Sequence, residues 1–331
     1  MDHQIREEYF RQLKNELHIL LDEKTGLLSD VHSHLVPCPL CCSSIEKQTK
    51  LFIKDGYTFV RCDDCQMIFT NPQVHAKDIQ ENYESSVSSD LWVKLQLSEK
   101  ERGWKEKYYT EAIDILKKYS PLRSNSLLDV GCSVGHFLEI LRDNCPDWEI
   151  EGIEFNQLAL ETCIKKNLFV QNIPIELLPE KKQHDICTLF GVLEHLSRPH
   201  EFLRSLVKRT KKGGLVMIVV PNVYSLYHMF LQDKSRSFDG RNHLLYFSID
   251  TLTKLLNTHG LNVIHFDTVL TGLDNILRQA QWLDPNSTLK TKSFLPKNLI
   301  ENFNSKVIEE FIYKNNLGLR LRVLARKEED Q

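Results

Sequence analysis

No apolar run in the 331-residue chain approaches the roughly 18 residues that a membrane-spanning helix needs; Leu215 to Val220 (LVMIVV) is among the longest. Neither charge is in excess. The 42 Lys and Arg side chains stand against 45 Asp and Glu, a net charge of −3 that gives no general pull toward nucleic acid or acidic lipid. The opening residues, MDHQIREEYF, have acids where an export signal needs an apolar stretch, so a cytoplasmic protein is expected. Internal repeats and low-complexity tracts are lacking too. What remains is an ordinary globular composition, 41% hydrophobic and 26% charged, in a chain long enough for two domains and a large core.

The cysteines stand out from this plain background. Nine of them without an export signal point to thiols and metal ligation rather than disulfides. Cys38, Cys41, Cys62 and Cys65 lie in CPLC and CDDC, two C-x2-C knuckles spaced like those of a four-thiolate zinc ribbon. Between them, LFIKDGYTFVRC alternates around a Lys54-Asp55-Gly56 turn, which suits a hairpin. Pro37 to Val74 is too short for a core of its own, so metal would supply most of its folding free energy. Cys42 is a poor fifth ligand because its side chain points away from its neighbour's. The acids Glu46, Asp55, Asp63 and Asp64 balance Lys47, Lys50, Lys54 and Arg61. With no basic stripe, a structural or substrate-shaping ribbon is favoured over a nucleic-acid reader. Cys132, Cys145, Cys163 and Cys187 fall within or beside expected core elements and read as small buried hydrophobes.

The chain is organised around LLDVGCSVGHFLEIL, Leu127 to Leu141. A short apolar run, a turn bracketed by Gly131 and Gly135, and Phe137, Leu138 and Leu141 at helical spacing read as strand, glycine loop and helix. A dinucleotide loop wants glycine at its first, third and sixth positions; here those hold Gly131, Ser133 and His136, so that reading fails. A glycine pair four apart, entered through Asp129, is instead the S-adenosylmethionine (SAM) loop pattern of class I methyltransferases. WEIEGIEF reads as the next strand, ending at Glu154, 25 residues after Asp129, where a carboxylate can accept both ribose hydroxyls of an adenosine.

Along the rest of the chain, Ile5, Tyr9, Leu13, Leu17, Leu20 and Leu21 share one face of an N-terminal helix that packs on the chain or on a second subunit. The segments divide as an N-terminal helix (1–36), the ribbon (37–74), a helical linker (75–120) and an α/β domain (121–331). Ser85 to Ser89 is the expected flexible point of the linker. Asn156 is predicted to cap a helix burying Leu160, Cys163 and Ile164. Leu168 to Ile173 is a third strand, and Asp185 to Phe190 a fourth. The helix from Pro199 is predicted to stop at Gly213 or Gly214 before a fifth strand, LVMIVVPN. NHLLYFSIDTLTKLLNTHG returns to helix as far as Gly260. Residues 261–270 and 318–326 are the last strands, separated by a polar, helix-bearing insertion.

With these residues laid out, the chain resembles bacterial class I SAM-dependent methyltransferases that carry an N-terminal zinc-binding domain. CPLC with DGYTFVRCDDC and NPQ is similar to the zinc module, LLDVGCSVGHFLE to the SAM loop, and EGIE to the ribose-binding acid. GVLEHLSRP matches the post-strand motif and NHLLYFS the late aromatic segment. The resemblance implies a Rossmann-like seven-stranded sheet preceded by a small zinc ribbon and helical linker, with SAM and Zn(II) as cofactors. It also implies that Gly131, Cys132, Ser133 and Gly135 line the cofactor, that Asp129 anchors the loop, and that Glu154 grips the ribose. Phe155, Asn172 and Ile173 would lie near adenine, and Phe190 near the sulfonium. Ser133 departs from the third glycine of many relatives but is small enough for the loop.

Methyl transfer from a sulfonium is an in-line displacement, so the protein chiefly aligns the reacting atoms. A hydroxyl or amine acceptor must also lose a proton, which His195 or His243 can take near neutral pH; both also have a plain structural reading. Glu194, His195 and His243 together could hold a divalent ion. Ubiquinone-pathway O-methyltransferases and small-RNA 2′-O-methyltransferases show a similar ExxEH with a later His. Here Gly191 stands at the first acid of that pattern, and Glu194 is expected to cap or brace its helix. The expected acceptor is a small molecule or sugar, polysaccharide or nucleotide-linked, methylated at oxygen. The alternatives are an RNA methyltransferase using the ribbon as a clamp and a non-catalytic SAM- or zinc-binding protein. Nucleic acid is the less expected partner, and a homodimer is compatible with the amphipathic first helix.

Overall fold

The computed structural model describes residues 2–120, 125–179, 182–270 and 305–328. The chain begins with α1 (Asp2–Ile19), in which Leu13 and Leu17 are buried, and a short β1 (Ser33–His34). β2 (Gln48–Lys54) and β3 (Tyr57–Cys62) form the expected hairpin. Asp55 (φ 48°) and Gly56 (φ 86°) take the paired left-handed conformations that a two-residue hairpin loop requires. β4 (Ile68–Thr70) and β5 (Gln73–Val74) follow, then three helices, α2 (Ala76–Ser85), α3 (Val87–Gln96) and α4 (Glu99–Tyr119).

The alternating half comprises β6 (Ser126–Val130), α5 (His136–Asn144), β7 (Glu149–Ile153), α6 (Gln157–Lys165), β8 (Val170–Gln171), β9 (His184–Phe190), α7 (Pro199–Arg209) and β10 (Thr210–Pro221). α8 (Leu226–Leu231), β11 (Leu245–Tyr246), α9 (Ile249–Asn257), β12 (Leu261–Val269), α10 (Ser305–Lys314) and β13 (Arg320–Lys327) complete it. The large sheet has seven strands in the order β12-β13-β10-β9-β6-β7-β8. Of these, β13 runs antiparallel to both its neighbours, and the pairings from β10 through β8 are parallel. Strand order reverses between β6 and β9, and that switch point opens a crevice at the strands' carboxyl ends.

Both faces of this sheet are buried, which is why its strands read as continuous apolar runs. Leu127, Ile186, Met217 and Leu324 pack on α4 and α5 through Ile113, Leu116, Phe137 and Leu141. On the opposite face, Leu128, Leu189, Ile218 and Val323 share a core with α7 and α9. The same core contains Cys38, Cys62, Cys65, Met67 and Phe69. The ribbon therefore has no separate interior; it is packed into the side of the α/β domain.

Several local expectations give way to tertiary pairing. NHLLYFS does not pass straight into helix. Leu245 and Tyr246 pair with Phe69 and Ile68, adding a fourth strand to the ribbon's sheet, and α9 starts only after Ser248 closes a capping box with Thr251. α7 ends at Arg209 rather than at the glycines, because Thr210 is already paired with His184; Gly213 (φ 69°) lies in the bulge before Leu215. On α6, Ala159 and Cys163 carry the buried face and Leu160 is half-buried. Ile164, one residue beyond Cys163, turns out to solvent at 57% exposure. The expected third strand shrinks to β8. The Ser85 to Ser89 run is a tight helix junction in which Ser86 caps α3 and Ser88 is buried. Most of the polar insertion, 271–304, lies outside the described residues.

Metal analysis of the purified chain should find about one zinc per chain, lost in a Cys62→Ser, Cys65→Ser double variant. Because ribbon and sheet share one core, that variant should lower the melting temperature of the whole chain. A melt in which the α/β domain unfolds at its original temperature would contradict the shared core.

Candidate functional site

β6 delivers Asp129 to the switch point. Its side chain is 2% exposed, and Oδ1 accepts a 2.6 Å hydrogen bond from the Thr188 hydroxyl on the neighbouring strand. Burial raises its pKa to about 7; the Thr188 bond opposes this and the charge of Glu154 adds to it. The loop that follows holds Gly131 (φ 74°), Ser133 (φ 51°) and Gly135 (φ 75°) in the left-handed region. A Cβ on Gly131 would meet the Val192 side chain at 2.7 Å, and one on Gly135 would meet Leu168 at 2.4 Å, so glycine is needed twice over at both positions. Cys132 is buried, its sulfur lying where a Cβ on Gly152 would come within 2.7 Å.

Glu154 closes the loop from below. Its Oε2 accepts from the Ser133 amide at 2.7 Å, and its Oε1 from the Phe155 and Asn156 amides at 2.9 and 2.8 Å. A carboxylate offers about four acceptor positions. By that count three are in use and one stays open on Oε2. Desolvation raises its pKa, against the lowering effect of these three amides. Ser133 takes part through its backbone amide, which a glycine there would supply equally. Phe155 is 38% exposed beside this acid, and Asn172 is exposed at the end of β8. Ile173 is partly buried against the main core. The Phe190 ring lies among Phe137, Tyr109 and Tyr108, at centroid distances of 4.7, 5.2 and 6.0 Å.

Across the switch point, the turn after β9 brings Glu194, His195 and His243 together, one ligand atom from each lying within 4.8 Å of the others. Glu194 does not cap a helix. It sits in a short 3-10 turn, 1% exposed, and its Oε2 has no hydrogen-bond partner among the described residues. His195 donates from Nδ1 to the Asn242 carbonyl at 2.6 Å, and His243 from Nδ1 to the Ser237 carbonyl at 3.0 Å. Both tautomers therefore carry the lone pair on Nε2, and the ring centroids are 4.8 Å apart. Burial lowers the His195 pKa, with Glu194 opposing and His243 adding to the shift. The three donors fit a divalent cation: a buried carboxylate oxygen without a partner, and two imidazoles oriented through their other nitrogen.

Sequence reading missed the cations here. Above Gly191 (φ 74°), a Cβ would lie 3.4 Å from Glu194 Oε1 and 3.6 Å from Arg320 Nη1. Lys105 is 8% exposed, hydrogen-bonds Gln96 Oε1, and has its pKa lowered by burial to about 8. Among the described residues neither cation has a carboxylate within ion-pair distance, whereas Arg322 is held by Asp267 and Glu111. No sequence motif marks Lys105 or Arg320, which come from the linker helix and the last strand.

In the ribbon, Cys38 and Cys65 sulfurs are 3.5 Å apart and those of Cys41 and Cys62 3.6 Å, with all four mutually within 4.8 Å. Tetrahedral zinc with bonds of about 2.3 Å would separate its sulfurs by about 3.8 Å, so the set fits. Cys42 is exposed and outside the cluster.

Residues 104–266 match the family described as a methyltransferase domain. That segment is a methyltransferase domain, and the fold carrying it is that of class I SAM-dependent methyltransferases. Among curated proteins, the chain is 28% identical over 194 residues to a tRNA U34 carboxymethyltransferase of Pseudoalteromonas translucida, covering 54% of this chain and 60% of that one. It is 26% identical over 167 residues to a ribosomal RNA small subunit methyltransferase C of Shewanella sediminis (46% and 47% covered). It is 31% identical over 108 residues to a mitochondrial ubiquinone biosynthesis O-methyltransferase of Candida albicans (30% and 33%). The chain thus spans less than two thirds of each relative. Among solved structures, a chain from a complex between the Haloferax volcanii Trm112 methyltransferase activator and a methyltransferase superposes with a TM-score of 0.51 at 14% identity, over 76% of this chain and 99% of that one. Two of these three relatives are named for RNA substrates.

Because Asp129 binds its proton more tightly folded than unfolded, it costs stability increasingly as pH rises from about 4 to 7. Asp129→Asn should therefore stabilise the unliganded chain, with a gain that grows across that interval and levels off above it at about 4 kcal/mol. Denaturant titrations of both proteins at pH 5 and pH 8 check this; an equal difference at the two pH values would contradict it.

Proposed function

We propose that the chain is a SAM-dependent methyltransferase whose cofactor spans the switch point between β6 and β9. The observation that carries this is the hydrogen bond that the Ser133 amide donates to Glu154, which joins the second-strand acid to the glycine loop as one cradle. Gly131 and Gly135 let the cofactor approach bare backbone, with Cys132 and Ser133 completing the loop. Glu154 takes a ribose hydroxyl on its open lone pair. Asp129 meets the methionine ammonium, whose charge brings the carboxyl back to its ionised form. Phe155 and Asn172 border the adenine, and Lys105 is well placed for the cofactor's carboxylate.

The acceptor enters over Gly191. One of the two histidines, His243 or His195, takes the proton from an acceptor hydroxyl at its Nε2, and Glu194 stabilises the imidazolium that results. Burial keeps His195 neutral at neutral pH and ready to accept. Arg320 suits an acceptor bearing a negative group, such as a nucleotide-linked sugar. The Glu194 oxygen that has no partner among the described residues favours a second reading of the same three residues. Glu194, His195 and His243 would hold a divalent ion, whose Lewis acidity would lower the pKa of the acceptor hydroxyl. Zinc in the four cysteines is structural. An RNA acceptor is the alternative that the relatives' names support; binding that weakens steeply with salt would favour it.

Glu154→Ala should weaken SAM binding by roughly 1.5–3 kcal/mol, about 10- to 150-fold, and calorimetry showing unchanged affinity would remove the assignment. His243→Ala should lower turnover by about 10²–10⁴-fold while leaving SAM affinity intact. The acid limb of the pH–rate profile should fall below the ordinary histidine value, because burial lowers His195.

A further inference from the structure

We infer that Glu16, on the N-terminal helix, is a positioning residue that links the cofactor loop to the two histidines. This rests on the cofactor reading of the loop given above.

Two halves of the site meet at this carboxylate. On one side lies α3, which is seated on the cofactor loop. Val93 packs against Val134 of the loop and Ala159 of α6, and the Gln96 carbonyl accepts a 2.8 Å bond from His136 Nε2 at the start of α5. Ser89 Oγ accepts from Asn156 Nδ2 at 3.1 Å, next to Glu154. On the other side lies the stretch 239–243. Asp239 Oδ1 accepts from the backbone amides of Asn242 and His243 at 2.8 and 3.0 Å, and the Asn242 carbonyl fixes His195. Glu16 joins the two. Its Oε1 accepts from the Ser88 amide at 3.0 Å, and its Oε2 from the Ser88 hydroxyl at 2.5 Å and from Arg241 Nη2 at 3.0 Å. Arg241 in turn donates from Nε to Asn242 Oδ1 at 3.3 Å.

The Arg241 side chain is only 4% exposed and that of Glu16 18%, so this is a partly buried ion pair with little solvent screening. Each acceptor oxygen faces donors only. A glutamine in its place would turn an NH2 group toward either Ser88 or Arg241, setting donor against donor. The clasp joins two different elements, α3 and the 239–243 stretch. These belong to the cofactor side and the acceptor side, and the residues within the clasp neither touch the loop nor carry the reaction. Ordering of α3 by the bound cofactor therefore orders 239–243 as well.

The test is hydrogen exchange on the full zinc-loaded chain, with and without S-adenosylhomocysteine. In the parent protein, the ligand should slow exchange both in 87–97 and in 239–247. In Glu16→Gln, protection of 87–97 should persist while the ligand-induced protection of 239–247 shrinks by about fivefold or more, the low end of coupling between sites. Ser88→Ala, which removes one of the two Ser88 contacts and leaves the ion pair, should show the same loss in weaker form. The histidine Cε1–H resonances add a readout that a merely structural role would not move: their ligand-induced shifts should disappear in Glu16→Gln. Ligand-induced protection of 239–247 that is equal in parent and variants overturns the inference, as does a parent protein in which 239–247 ignores the ligand while 87–97 responds. If 87–97 does not respond and calorimetry finds no binding, the cofactor reading itself fails.

Discussion

A few backbone hydrogen bonds along 242–246 hold the two halves of the molecule in register. The Leu244 amide donates to the Glu194 carbonyl at 2.9 Å, and the Leu244 carbonyl accepts from the Thr70 amide at 3.0 Å. Leu245 and Tyr246 then pair with β4 of the ribbon. One extended stretch is thus gripped by the turn carrying Glu194 and His195 on one side and by the zinc module on the other. Leu244, Leu245 and Phe247 are at most 1% exposed, so shifting this strand would unpair backbone groups where no water can replace them. His243 owes its position beside His195 to this constraint.

The zinc module consequently does more than fold itself. Its cysteines belong to the same apolar cluster as Leu189, Val220 and Leu252, and its edge strand is completed by a piece of the α/β domain. His200 reinforces the seam from α7, contacting the Leu40 carbonyl at 2.9 Å and His259 at 2.8 Å. The N-terminal helix closes a third side: Leu13 and Leu17 cluster with Tyr57, Phe59 and Phe238. Segments that look modular along the chain share interiors in the folded molecule.

The crevice between these parts is electrostatically divided. Asp129 and Glu154 lie buried on the β6–β7 side, and Arg320 and Lys105 stand at its rim without carboxylate partners among the described residues. Burying groups of both signs without pairing them is costly unless a ligand supplies the counter-charges. A zwitterionic cofactor with a sulfonium, an ammonium and a carboxylate has the charges to do so.

The sheet, the glycine loop, the acid 25 residues beyond Asp129 and the four-cysteine cluster were legible from the residues alone, because each depends on local periodicity or fixed spacing. The partner of each group was not. That Thr188 would bond Asp129, that Arg320 would reach over Gly191, and that Leu245 would extend the ribbon's sheet rather than open a helix all depend on residues more than 50 positions apart meeting in space. Local periodicity reads NHLLYFS as the start of a helix, and the open edge of β4 overrides it, since an unpaired edge offers hydrogen bonds that the chain's own turn cannot. The sequence by itself determined which chemistry is carried on which element. Only the tertiary structure decided which of those elements face one another, because packing and backbone pairing between distant segments contribute terms that no window along the chain contains.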